Sequence, residues 1–198
     1  EADLTLADGS LRTVKPRHIV MATSVSGTPK FPDIPTLNRF QGTCVHSSAF
    51  DNGEDWKGRR ALVFGTGTSA HDIAQNLHEN GALVTMVQRS PTLVVSVSPG
   101  AQMYDSILLT DGPPLEDRDL YNIGTPLKQM KIAHKRLTDR VRKLDKKLLD
   151  GLSRAGFRLE FGEDGTGWPL KYRTRGGGYY FNIGCSDYIV DGQIGLIQ

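Results

Sequence analysis

The chain has only two cysteines in 198 residues, Cys44 and Cys185. They are too few and too isolated for a disulfide framework or a zinc site, which fits a reducing compartment and makes the cytoplasm the expected location. Long apolar runs are missing as well. None approaches the roughly 18–20 residues that a membrane span needs, and no charged-then-apolar leader opens the chain, so neither a membrane protein nor a visibly exported one is expected. Charge of one sign is also lacking: 24 Lys and Arg meet 22 Asp and Glu, for a net charge of +2. The five histidines, at positions 18, 46, 71, 78 and 134, do not cluster, and no metal site is expected. Ser69 and Ser96 have neither a nucleophile elbow nor an identifiable His and Asp partner set, so hydrolase chemistry has no support. At roughly 100–200 residues per domain, the length suits one domain or one and a half.

What is present is ordered by turn and strand signals. Leu4 and Leu6 alternate up to Asp8-Gly9, and Leu11 and Val14 resume the pattern, which predicts a hairpin. A chain that opens inside one such pattern and stops inside another, at Ile194 to Gln198, is expected to be a segment of something longer. Residues 17–23 read as a buried strand. Gly27, Pro29, Pro32 and Pro35 then mark a connection, and residues 40–58, with the turn Asp51-Asn52-Gly53, form a second one. Residues 90–124 read as loop with one short helix near 101–109, and residues 126–152 as a single long helix. Between Lys128 and Lys147 that helix carries nine Lys or Arg against Asp139 and Asp145, a local charge of +7, which leaves −5 for the rest. It could suit nucleic acid or an anionic membrane, but no aromatic residue interleaves with the lysines to stack bases. The preferred reading is an amphipathic surface helix with no nucleic-acid partner. The tail from Phe157 reads as loop and short strands.

The most regular stretch predicts strand, glycine-rich turn, helix and strand. Arg60 to Phe64 is apolar, Gly65-Thr66-Gly67-Thr68-Ser69-Ala70 follows, and Ala70, Ile73, Ala74 and Leu77 share one helical face. Asn80-Gly81 closes the helix, and residues 82–87 form the second strand. A dinucleotide pyrophosphate needs the backbone to come close, which a Cβ at the first two glycines of G-x-G-x-x-G/A would prevent; Ala70 takes the small third position. Its phosphates would then sit at the amino end of the 68–78 helix, where unpaired N–H groups and the helix dipole favour an anion.

The end of the second strand discriminates between dinucleotides. An NAD site places an acid there for the ribose 2′-hydroxyl, whereas this chain has Val87-Gln88-Arg89-Ser90. Arg89 offers a bidentate, charge-assisted contact to a 2′-phosphate and Ser90 a hydroxyl donor, so NADPH is the expected cofactor. The alternative is a solvent-exposed strand-end arginine.

The stretch from Phe40 to Leu77 resembles the NADPH-dependent flavin monooxygenases, which include the flavin-containing, YUCCA-like and Baeyer–Villiger enzymes. Phe40, Gly42, His46 and Phe50 match that family's fingerprint, F-x-G-x-x-x-H-x-x-x and an aromatic residue, just ahead of the glycine turn. Ser47-Ser48, Trp56-Lys57-Gly58, Asp72-Ile73-Ala74 and Gln88-Arg89-Ser90-Pro91 carry the likeness further. Three departures stand out: Ser24 replaces the usual Gly of A-T-G, Phe50 stands where Tyr or Trp is commoner, and the family's first G-x-G-x-x-G, which binds FAD, is missing.

The resemblance implies an α/β fold in which a Rossmann-like NADP-binding domain is inserted between pieces of a FAD/NAD(P)-binding domain. Residues 1–58 would be the edge of the FAD domain and a linker, 59–178 the NADPH-binding domain, and 179–198 a return segment toward the FAD domain. It implies NADPH held by Gly65, Thr66, Gly67, Thr68, Ser69, Ala70, Arg89 and Ser90, and FAD in the full-length enzyme. The partners would be molecular oxygen and a small organic substrate oxygenated at N, S or C. His46 would orient the linker, and no residue of this chain is assigned a catalytic role. A two-dinucleotide flavoprotein of the disulfide-reductase type, or a non-catalytic NADP-binding fragment, are the alternatives; no Cys-x-x-Cys pair supports the former.

Overall fold

The computed structural model of the chain describes residues 1–22, 27–104 and 111–198. Contacts divide it into two compact units, Glu1–Ser48 and Ala49–Gln198.

In the first unit, β1 (Ala2–Thr5) pairs antiparallel with β2 (Leu11–Val14), as the alternation around Asp8-Gly9 predicts. The turn closes because the Asp8 carboxylate accepts both the N–H and the hydroxyl of Ser10 and because Gly9 adopts φ 82°. These contacts hold the Asp8 carboxyl below its ordinary value. The buried strand expected at residues 17–23 does not form over the described part, 17–22: Ile19, Val20 and Met21 are exposed. A strand needs a ladder partner, and no described strand pairs with these residues. Ser24 lies outside the described residues.

The second unit is built on a parallel sheet. β3 (Arg60–Phe64) leads through the glycine turn into α1 (Thr68–Glu79) and on to β4 (Leu83–Val87), which lies beside β3 in parallel. β5 (Leu93–Ser96) follows. Its buried Leu93-Val94-Val95 run sits in the stretch read as loop, because its parallel partner β6 (Tyr179–Asn182) comes more than eighty residues later. The helix expected near 101–109 is a single 3-10 turn at Ala101–Met103 over its described part.

The single helix expected over 126–152 is two. After α2 (Leu115–Gly124), which the prolines at 113 and 114 disguise as loop, α3 (Leu127–Leu144) and α4 (Lys146–Arg154) meet at Asp145. Asp145 leaves helical geometry at φ −85° and ψ 11°, and its carboxylate accepts the Ser96 N–H at 2.9 Å. The side chain serves the end of β5, and the helix bends there. The tail contains two helices that its glycines hide: α5 (Trp168–Arg175) and α6 (Cys185–Val190). α5 does carry its punctuation, Pro169 in the first turn and left-handed Gly176 beyond the end.

β7 (Gly195–Ile197) joins β4 in parallel, so the main sheet runs β3-β4-β7. Residues 179–198 therefore supply a strand to each parallel sheet and belong to the second unit. The inner face of the main sheet carries Ala61, Val63, Val84, Met86 and Leu196, packed with α1, α4 and α6 around Ala74, Leu77, Leu152, Tyr180, Cys185 and Ile189. On the other face, Leu62, Phe64, Leu83 and Ile197 are each more than half exposed. This is a mixed α/β architecture with parallel sheets, as a dinucleotide-binding fold requires.

Candidate functional site

The glycine turn lies at the carboxyl ends of β3 and β4, where ligands bind in open parallel sheets. The Gly65 N–H donates to the Val87 carbonyl at 3.0 Å, which ties the turn to the neighbouring strand. Gly65 sits at φ 119°, a conformation that L side chains rarely adopt. Gly67 is the N-cap of α1 at φ −83° and ψ −174°, ordinary extended backbone, and no side chain caps the helix. A Cβ there would meet only the Tyr179 carbonyl oxygen, at 4.0 Å. The first backbone bond of the helix runs from the His71 N–H to the Gly67 carbonyl at 3.1 Å, leaving the amides of the first turn without intrahelical acceptors. An uncapped, glycine-led helix start offers donors and a partial positive charge to an anion.

The hydroxyls of the turn are not equivalent. Thr66 is buried and its Oγ1 lies 2.6 Å from that of Thr92. Thr68 donates to the Tyr179 carbonyl at 3.2 Å, while exposed Ser69 makes no hydrogen bond to another described side chain or carbonyl. Thr66 and Thr68 thus face the protein with their side chains and offer a ligand their backbone.

His71, which the sequence marks only as one of five scattered histidines, is fully buried beneath the turn. Its Nδ1 lies 3.1 Å from the Gly67 carbonyl, so Nδ1 carries the hydrogen and donates. The ring stacks on Tyr180 with centroids 3.8 Å apart and planes 5° from parallel. Burial pushes its pKa down from 6.5 to about 4, against the opposing pull of the Gly67 and Thr66 carbonyls. Nε2, the bare nitrogen of the neutral ring, has no partner among the described residues. The same burial pushes the Tyr180 hydroxyl and the Cys185 thiol up to about 12 each.

Arg89 and Ser90 are exposed just beyond β4. The preceding Gln88 is fully buried, and its amide pairs with the main chain of Arg158: Nε2 donates to the carbonyl at 2.9 Å and Oε1 accepts the N–H at 2.8 Å. The Arg158 guanidinium returns to donate to the carbonyls of Gln88 and Arg89 at 2.7 and 2.9 Å. Sequence reasoning did not find Arg158. Seventy residues separate it from Gln88, and the only available hint was a glutamine at the end of an apolar strand.

The fingerprint residues fall on both sides of the division, Phe40, Gly42 and His46 in the first unit and Phe50 in the second. Phe40 folds its ring over Gly42, where a Cβ would lie 2.5 Å from the ring, which explains the F-x-G spacing sterically. His46 Nδ1 accepts the Ser48 N–H at 3.2 Å, ordering the 3-10 turn Ser47–Ala49, and its ring stands edge-on to Phe31 at 5.4 Å. Phe50 packs against the core of the second unit.

The parallel sheets and the glycine turn fit the class of dinucleotide-binding folds. Residues 8–102 match the pyridine nucleotide-disulphide oxidoreductase family model. The chain is similar to the FAD-binding monooxygenase VdtE of Byssochlamys spectabilis, with 43% identity over 84 residues, 42% of this chain and 14% of that protein. Indole-3-pyruvate monooxygenase YUCCA1 of Oryza sativa subsp. japonica is 34% identical over 79 residues, 40% of this chain and 20% of its own length. Flavin-containing monooxygenase 3 of Rattus norvegicus is 40% identical over 76 residues, 36% of this chain and 14% of its own length. Over about two fifths of its length the chain is similar to flavin-dependent monooxygenases, and the matches span less than a quarter of the length of these three curated relatives.

Proposed function

We propose that residues 59–178 of the second unit are the NADPH-binding part of a flavin-dependent monooxygenase, with residues 1–58 the edge of a FAD domain and linker and residues 179–198, which pack into the same unit, leading back toward that domain. The observation that carries the reading is an uncapped helix start behind a positive-φ glycine, followed at the next strand end by Arg89 and Ser90 in place of an acid. The donor set suits the cofactor. Gly65 shapes the turn, Gly67 leaves room for a pyrophosphate, and the first-turn amides and the Ser69 hydroxyl face it. Arg89 and Ser90 would take the 2′-phosphate.

When bound in the whole enzyme, FAD supplies electron transfer from NADPH to oxygen, and a small organic substrate is oxygenated at N, S or C. This chain's residues bind and orient the reductant; none is given a catalytic role. His46, through Ser48, holds the shape of the linker. The family model's description also includes disulfide chemistry, but Cys44 is exposed and Cys185 buried, each as a free thiol, which favours the monooxygenase reading.

Two experiments test this. In ligand-observed NMR titrations, which register weak binding, Arg89→Ala should weaken NADPH about tenfold to a hundredfold and leave NADH nearly unchanged; equal weakening of both would sink the assignment. The 198 residues alone should purify without flavin absorbance and show no NADPH-dependent oxygen uptake. Turnover by this chain alone would overturn its role as one part of the enzyme.

A further inference from the structure

Resting on the NADPH reading above, we propose that Arg158 is a second cation of the 2′-phosphate subsite and that Arg158 and Arg89 together select a phosphomonoester dianion at the ribose. The first observation is placement. The Arg158 guanidinium is held at the carboxyl end of β4 by the carbonyls of Gln88 and Arg89, next to the residue to which the sequence alone assigns phosphate recognition. The second is that residue 158 is fixed there independently of its own side chain. Buried Gln88 grips its main chain with both amide atoms, the Thr92 N–H donates to its carbonyl at 3.0 Å, and Thr92 and Leu159 form a parallel bridge.

The third observation is charge. Arg89 and Arg158 are both exposed, and neither appears in any carboxylate ion pair among the described residues. A guanidinium has five N–H donors; the two carbonyls engage one nitrogen of Arg158, which leaves the others for an anion. A phosphomonoester carries about −1.5 to −2 at pH 7, more than a single arginine neutralises. Two guanidiniums and the Ser90 hydroxyl match that charge and its three oxygens, whereas a ribose 2′-hydroxyl offers nothing for a second cation to bind.

The test compares the wild-type chain, Arg158→Gln, Arg158→Ala and Arg89→Ala by titration with NADPH and with NADH, with thermal unfolding recorded for each. Glutamine keeps a neutral amide donor on a shorter side chain and removes the charge, and the unfolding curves report whatever the lost carbonyl bonds cost. Arg158→Gln should melt like wild type, lose about tenfold in NADPH affinity and keep its NADH affinity within about twofold. Unchanged NADPH binding in Arg158→Gln, or equal loss of both dinucleotides, would overturn the proposal and leave Arg158 as a strand fastener. If Arg89→Ala loses NADPH selectivity while Arg158→Gln does not, the NADPH reading stands and this proposal falls. If wild type binds neither dinucleotide, or binds both equally, the two fall together.

Discussion

Gly65 and Gly67 stand two positions apart and need to be glycine for different reasons. At φ 119°, Gly65 makes any side chain strained, so Gly65→Ala should cost about 1–3 kcal/mol in thermal or urea unfolding. Gly67 has backbone angles open to any residue, and a Cβ there would only reach ordinary contact distance. Gly67→Ala should therefore leave stability within about 0.5 kcal/mol of wild type, while NADPH binding in the same titration falls at least tenfold. Loss of stability with binding intact would mean that the glycine serves the fold and not a ligand. The two thiols separate in the same way. Burial, with Asp72 and Glu79 nearby, holds the Cys185 pKa at about 12, so a thiol reagent at pH 8 should modify Cys44 in the native chain and reach Cys185 only in denaturant.

Among the elements, the β3-turn-α1-β4 unit was legible because every signal in it is local: an apolar run, spaced glycines, one helical face and a closing Asn-Gly. The bend at Asp145 was not. Nothing around Asp145 departs from the three-and-four spacing of apolar residues, and the Ser96 N–H that its carboxylate accepts lies forty-nine residues earlier. Asp145→Ala strips the Ser96 N–H of its acceptor in a half-buried position and should cost about 1–3 kcal/mol, read from urea midpoints. A neutral result would assign the bend to packing alone. The basic face of α3 also has internal uses. Lys131 lies 3.1 Å and Lys135 3.9 Å from the Asp164 carboxylate, and the Arg142 guanidinium stands 4.1 Å over the Phe161 ring. The hydrogen bonds from Lys131 and Thr166, with the charges of Lys131 and Lys135, lower the Asp164 pKa, and the helix is tied to the loop after Leu159, which bridges Thr92.

At the scale of the whole molecule, stability should depend on pH through His71. Its folded pKa of about 4 lies below the ordinary 6.5. Above pH 6.5 the ring is neutral in both states and contributes no slope. Between 6.5 and 4 the unfolded chain takes up a proton that the native chain refuses, so stability falls as pH falls, by on the order of 3 kcal/mol. Urea midpoints from pH 7 to 4 should show this loss, and His71→Phe, which keeps a ring against Tyr180, should flatten it; an unchanged slope would place the acid sensitivity elsewhere. Among the described residues, no helix is long and apolar enough to cross a membrane.

The sequence by itself determined the glycine turn, the helix it starts, the two strands beside it and the absence of an acid at the second strand end. Each depends on neighbours within a few residues, where glycine geometry, helical periodicity and side-chain charge act directly. Tertiary structure decided the rest: that residues 17–22 pair with no described strand, that Leu93–Ser96 becomes a strand through Tyr179–Asn182, and that Arg158 arrives beside Arg89. It also decided that Gln88, a polar residue on an apolar strand, is buried. Each of these outcomes turns on whether a hydrogen-bond partner stands many positions away, and pairing over such distances leaves no period in the chain to read.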